Sequence, residues 1–132
     1  MILYKKRRKY KYNLKSDLEY ETGIQLGEPK SDKFLGISTT GTLQIKKGYS
    51  WDGPSGPTID TKTFMQGALI HDALYQLMRE GILPQEARKR ADVILRDVCI
   101  EDDMFPFCAW VVYYAVRIFG ACYAKPDILE AP

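Results

Sequence analysis

The ten residues Gly48-Tyr49-Ser50-Trp51-Asp52-Gly53-Pro54-Ser55-Gly56-Pro57 divide this chain into two halves of different periodicity. Three Gly and two Pro in that stretch forbid a helix and make a poor strand. Tyr49 and Trp51 carry large apolar surface that must pack, so the reading is a rigid loop over 48–57 and not a flexible linker. Before the loop, apolar residues alternate: Tyr10, Tyr12 and Leu14, then Leu18 and Tyr20, then Leu43 and Ile45. Turn signals at Gly27-Glu28-Pro29, Ser31-Asp32 and Thr40-Gly41 separate them. The pattern predicts three or four short antiparallel strands, arranged as a meander.

After the loop the period changes to that of helices. Asp60 or Thr61 can cap a first helix running to about Arg79, with Gly81 at its end. Its apolar residues surround most of its girth, which predicts a central position. Pro84 opens a second helix, with Ala87, Ala91, Ile94, Leu95 and Val98 as its apolar stripe and Arg88, Lys89 and Arg96 facing away. Pro106 opens a third, to about Ala121. The fold class is therefore α+β, a small antiparallel sheet followed by three helices, in one domain over 1–132. Within it, 1–9 is a basic arm or edge strand, 10–47 the sheet and 60–122 the helical half.

The third helix carries Phe107, Trp110, Val111, Tyr113, Tyr114, Val116 and Ile118. Such even apolarity means deep burial or a homo-oligomer contact. We expect Trp51, Trp110, Tyr113 and Tyr114 in the core. Arg117 then requires a carboxylate, for which Asp52 is the candidate. The apolar run of about 16 residues around Arg117 is too short and too charged for a membrane span.

Among 132 residues there is one histidine, His71, followed by Asp72 and, at i+4, Tyr75. His71 and Tyr75 share a helix face, with Asp72 about 100° away. The short connection 80–83 makes the second helix an antiparallel neighbour. Asp72 lies about nine residues before that turn and Asp92 about nine after it, which brings Asp92 alongside His71. Two readings follow. In one, Asp92 holds one ring nitrogen of His71 while the other acts as general base toward water. Asp72, with Asp52 and the carbonyls of Tyr49 and Gly53, supplies hard oxygen ligands for calcium. In the other, His71, Asp72, Tyr75, Asp92 and Arg90 form a satisfied polar cluster that only ties helix to loop. Ser55 lacks the strand–turn–helix elbow of a nucleophilic serine.

Gly48, Tyr49, Asp52, Ser55 and Pro57, then His71, Asp72 and Tyr75, then Arg90-Ala91-Asp92, then Tyr114-Ala115-Val116-Arg117 with Phe119-Gly120, resemble a phage- and prophage-encoded family of small uncharacterised proteins. That resemblance implies a phage accessory or virion protein, in the host cytoplasm or the particle, and no established activity. Locally, His-Asp-x-x-Tyr on one helix with an Asp on an antiparallel one is similar to the secreted phospholipase A2 site. That similarity implies His71 as base, Asp72 as calcium ligand, and Asp92 and Tyr75 as supports of the imidazole. The paired cysteines of that family are missing, with Ile70 and Ala73 near their places, and its Cys-x-Gly-x-Gly calcium loop is absent.

The formal net charge of +2 hides an asymmetry. Residues 1–15 hold seven basic side chains and no acidic one; the rest carries 12 basic and 17 acidic groups. Lys5, Lys6, Arg7, Arg8 and Lys9, with Tyr10 and Tyr12 to stack, fit phosphate contacts from a nucleic acid. The same residues fit a solvated, edge-protecting strand, or docking on an acidic partner or anionic surface, and the acidic remainder favours these. No apolar run follows the charges, so they do not form a secretion signal. Cys99, Cys108 and Cys122, odd in number and without CxxC spacing, read as buried thiols in a reducing compartment. The function classes left are a calcium-assisted ester or amide hydrolase, a non-enzymatic phage or host-interaction protein, and a nucleic-acid binder.

Overall fold

The structure is a computed structural model and describes residues 4–6, 12–51 and 62–124. Its strands are β1 (Tyr4–Lys6), β2 (Tyr12–Leu14), β3 (Leu18–Glu21), β4 (Lys30–Ser31), β5 (Leu35–Ile37), β6 (Thr42–Ile45) and β7 (Ser50–Trp51). The fold is α+β, with the sheets in the N-terminal half. β3 to β6 form a four-stranded antiparallel sheet in the order β3-β6-β5-β4. The expected simple meander holds for β4, β5 and β6, but β3 pairs with β6. Its register sets Leu18 opposite Ile45 and Tyr20 opposite Leu43, so apolar side chains share one face. On that face Leu35, Ile37, Leu43 and Ile45 are buried.

β1, β2 and β7 make a separate three-stranded sheet with β2 in the middle. This corrects the reading of 48–57 as loop throughout. Tyr12 and Asn13 pair with Trp51 and Ser50. Residues 48–51 precede both prolines, so their N–H groups are intact and β2 offers them a partner. β1 is an edge strand and carries Lys5 and Lys6. Arg7, Arg8 and Lys9 lie outside the described residues, as do Asp52, Gly53, Ser55 and the cap candidates Asp60 and Thr61.

The helices are α1 (Lys62–Arg79), α2 (Arg88–Glu101), α3 (Pro106–Phe119) and a closing turn, α4 (Ala121–Ala124). α1 is central: Leu69, Ile70, Leu74, Leu77 and Met78 are buried with the sheet residues in one cluster. It ends as Gly81 takes a φ of +77°, with Gly81 N–H bonded to Met78 O at 3.1 Å and Ile82 N–H to Leu77 O at 2.9 Å. Only a residue without a Cβ takes that conformation at little cost. Pro84 stands just before α2, not in its first turn. Its backbone is extended, and a 3-10 turn over Gln85–Ala87 leads into the helix. α1 and α2 approach closely at Gly67, where a Cβ would meet the Cys99 sulfur at 2.9 Å.

α3 differs from expectation. Ala109 joins a second cluster with Phe64, Ala68, Leu95 and Cys99, with Val112 and Val116 packed against it; Tyr113 is also buried. Trp110 remains 42% exposed and Tyr114 56% exposed, so these two are not core. Arg96 lies 4.5 Å over the Trp110 ring. Arg96 therefore does not simply face away; its guanidinium covers one aromatic face. Among the described residues no helix is long and apolar enough to cross a membrane.

Candidate functional site

Helical spacing builds the site. His71 and Tyr75, four residues apart on α1, present one face to α2. On α2, Arg88 and Asp92 are also four apart. α3 delivers Arg117 from its last turn. All of them converge on the Asp92 carboxylate, which is 0% exposed. His71 Nε2 lies 2.7 Å from Asp92 Oδ1, and the Tyr75 hydroxyl donates to the same oxygen at 2.7 Å. Arg117 Nη1 donates to Oδ2 at 2.8 Å. Arg88 Nη1 lies 3.6 Å from Oδ2 and donates to the Tyr75 oxygen at 3.3 Å and to Val116 O at 3.0 Å. The Arg88 Nη2 donates to Arg117 O at 3.3 Å, so one guanidinium clamps the end of α3 to α2.

This explains how a carboxylate survives full burial. Burial pushes the Asp92 pKa up. Hydrogen bonds from His71 and Tyr75, the His71 charge and the Arg117 hydrogen bond outweigh burial and hold it below the usual carboxylate range. Asp92 is thus an anion at neutral pH and accepts at both oxygens. A neutral His71 ring facing that anion has to be the Nε2–H tautomer, donating to Asp92 Oδ1. Nδ1 makes no hydrogen bond to any described residue. The His71 and Tyr75 rings lie 4.2 Å apart, which fixes the plane of the imidazole. Burial, then the Asp92 hydrogen bond, drives the Tyr75 phenol far above its ordinary pKa, so Tyr75 stays a donor.

The structure therefore brings His71, Tyr75 and Asp92 together. Two other expectations are corrected. Arg90 is not in the cluster; its Nε donates to Thr22 O at 2.8 Å, tying α2 to the sheet. Arg88, read as facing away, occupies that place instead. Arg117 meets Asp92, because α3 closes over the α1–α2 pair; its expected partner Asp52 lies outside the described residues. The spacing of Arg88 and Asp92 at i and i+4 was the signal for the first of these. Gly120 is the second residue that sequence reasoning gave no role. A Cβ there would lie 2.7 Å from the Tyr75 hydroxyl and 2.5 Å from Val116 O. The absence of a side chain lets the end of α3 close on the site.

Asp72 is half-buried on the flank of α1. Burial, with the Asp72 charge next, raises the Tyr49 phenol far above its ordinary pKa, so the start of the 48–57 segment does come near Asp72. Tyr49 itself is committed elsewhere: its carbonyl accepts from Leu14 N–H at 2.8 Å and its hydroxyl donates to Gln76 Oε1 at 3.0 Å. Among the described residues no three His, Cys, Asp or Glu side chains stand together to hold a metal. Calcium takes about six to eight oxygen ligands. Of the expected set Asp72 and Tyr49 are described, and Asp52 and Gly53 lie outside the described residues.

No family model matches the chain, and no curated protein or solved structure resembles it significantly. The geometry stands alone.

Proposed function

We propose that this protein is a hydrolase whose general base is His71, acting on an ester or amide carbonyl. One observation carries the reading: Nε2 of His71 is bound to a charge-compensated Asp92, while Nδ1 has no partner among the described residues. In the proposed step, Nδ1 takes a proton from a water molecule as the water oxygen bonds to the carbonyl carbon. The tetrahedral adduct then breaks its bond to the alkoxide or amine, which leaves with the proton returned from Nδ1. Asp92 keeps its charge throughout, because Arg117 and Arg88 face it, and serves to hold the ring. Calcium held at Asp72, with Asp52, Tyr49 and Gly53 as the further ligands the sequence suggests, would supply polarisation of the carbonyl. The phage accessory setting rests on the motif resemblance.

A second reading, a structural tie without chemistry, is supported by the low exposure of His71, 7%. Two helices donate to one buried carboxylate carried by a third, as a specificity-giving core network would.

His71→Gln separates the two, since a Gln amide still donates to Asp92. The hydrolase reading expects a melting temperature near wild type and a loss of about 10²–10⁴ in turnover of p-nitrophenyl esters and acyl amides. No turnover by wild type on that panel, with His71→Gln several degrees less stable, favours the tie. Calcium should raise the melting temperature of wild type but not of Asp72→Asn. A flat calcium titration removes the metal from the proposal and leaves the His71 step to be judged by turnover.

A further inference from the structure

α3 has two faces of opposite fate. Its inner face holds Ala109, Val112 and Val116 against the core and sends Arg117 to Asp92. Its outer face carries Phe107, Trp110, Val111, Tyr114 and Ile118. These positions fall within about 100° of the helix circumference, so they form one stripe. They are 42% to 78% exposed. Phe105 and Phe119 extend the stripe at its two ends, also exposed. At about 200 Å² for an open aromatic side chain, the exposed fractions leave on the order of 800 Å² of apolar surface. That exceeds the largest apolar patch of an ordinary monomer, about 300–600 Å². It matches what each partner contributes to a standard stable interface.

Charge selects the occupant. Arg117 is the single ionisable residue of opposite character on α3, and it is turned inward. The stripe itself carries no charged side chain, with the Arg96 guanidinium of α2 flanking it at Trp110, so its apolar length is complementary to itself. One end is rimmed by Glu101, Asp102 and Asp103. An anionic surface would be repelled there, and two copies aligned in parallel would stack these carboxylates on each other. An antiparallel two-fold pairing keeps them apart and opposes the two helix dipoles. We propose that the outer stripe of α3 is the contact between two copies of this chain, paired antiparallel about a two-fold axis near Val111 and Tyr114. Each copy then covers the other's open aromatics, and the end of α3 that carries Arg117 is held from both sides.

Sedimentation of the full chain tests this. At about 100 µM the wild type should sediment at twice the 15.1 kDa chain mass. Tyr114→Lys and Val111→Lys place a charge at the axis of both copies, and each should run as a folded monomer with unchanged far-UV circular dichroism. Tyr114→Cys, in a Cys108→Ser background, should form an intermolecular disulfide on mild oxidation, because residue 114 lies near its symmetry mate. A monomeric wild type overturns the proposal. So does a dimer that both lysine variants leave intact, or one in which Tyr114→Cys does not cross-link. A monomeric wild type that floats with neutral phosphatidylcholine vesicles, and loses this in Tyr114→Lys, gives the stripe to a lipid surface and likewise overturns it. These readouts do not involve hydrolysis, so they stand or fall apart from the role of His71.

Discussion

Replacing Arg117 by Met removes the shorter of two cationic contacts to Asp92 while keeping most of the apolar stem. The lost bond is a charged one, 2.8 Å long, to a carboxylate that is 0% exposed. Charged hydrogen bonds contribute about 1.5–3 kcal/mol, and breaking a buried pair costs about 3–5 kcal/mol. Two features lower the figure here. The Arg117 side chain is 29% exposed, so water screens part of its attraction. Arg88, at 3.6 Å, remains and can move closer. The expected loss is about 2–3 kcal/mol, or about 6–12 °C in melting temperature for a domain of this size. The assay is urea denaturation of wild type, Arg117→Met, Asp92→Asn and the double variant. If Asp92 is the common acceptor, the single costs exceed that of the pair by about 1–2 kcal/mol. A coupling below about 0.5 kcal/mol would refute the idea that Arg117 stabilises through Asp92.

Two further outcomes follow from the same cluster. Gly120→Ala forces its methyl group against the Tyr75 hydroxyl and Val116 O, so the end of α3 must move; a loss of about 1–3 kcal/mol is expected, and a neutral result would show that the closure is slack. The pH dependence has a definite sign. The folded-state pKa of Asp92 lies below its unfolded value near 3.9, so its contribution is full above about pH 4 and is lost as pH falls through the folded value. The stability gap between wild type and Asp92→Asn should narrow below about pH 4, and a gap that stays constant into that acid range contradicts a buried, ionised Asp92.

How the site was legible is plain from its residues. The turn at 80–83 sits nearly midway between His71 and Asp92. Two antiparallel helices of regular rise must then place them side by side. The i+4 spacing of Tyr75 adds a second donor on the same face. Arg88 obeyed the same rule relative to Asp92, but its charge and its neighbours Lys89 and Arg90 made it look like part of a solvated face. The destination of Arg117 was not readable, because a helix that is apolar on all sides does not reveal which of its faces meets the core.

Local periodicity alone determined that this is a sheet followed by helices, where the helices break, and which α1 and α2 residues meet. Those follow from 2.0 and 3.6 residue repeats and from Pro and Gly, which act within a few residues of themselves. The tertiary structure decided what depends on distant partners. It paired Ser50–Trp51 with β2, set Arg88 and not Arg90 beside Asp92, sent Arg117 to the same carboxylate, and left half of α3 open. Such choices turn on which surfaces compete for the same neighbour in space, and no single stretch of chain contains that competition.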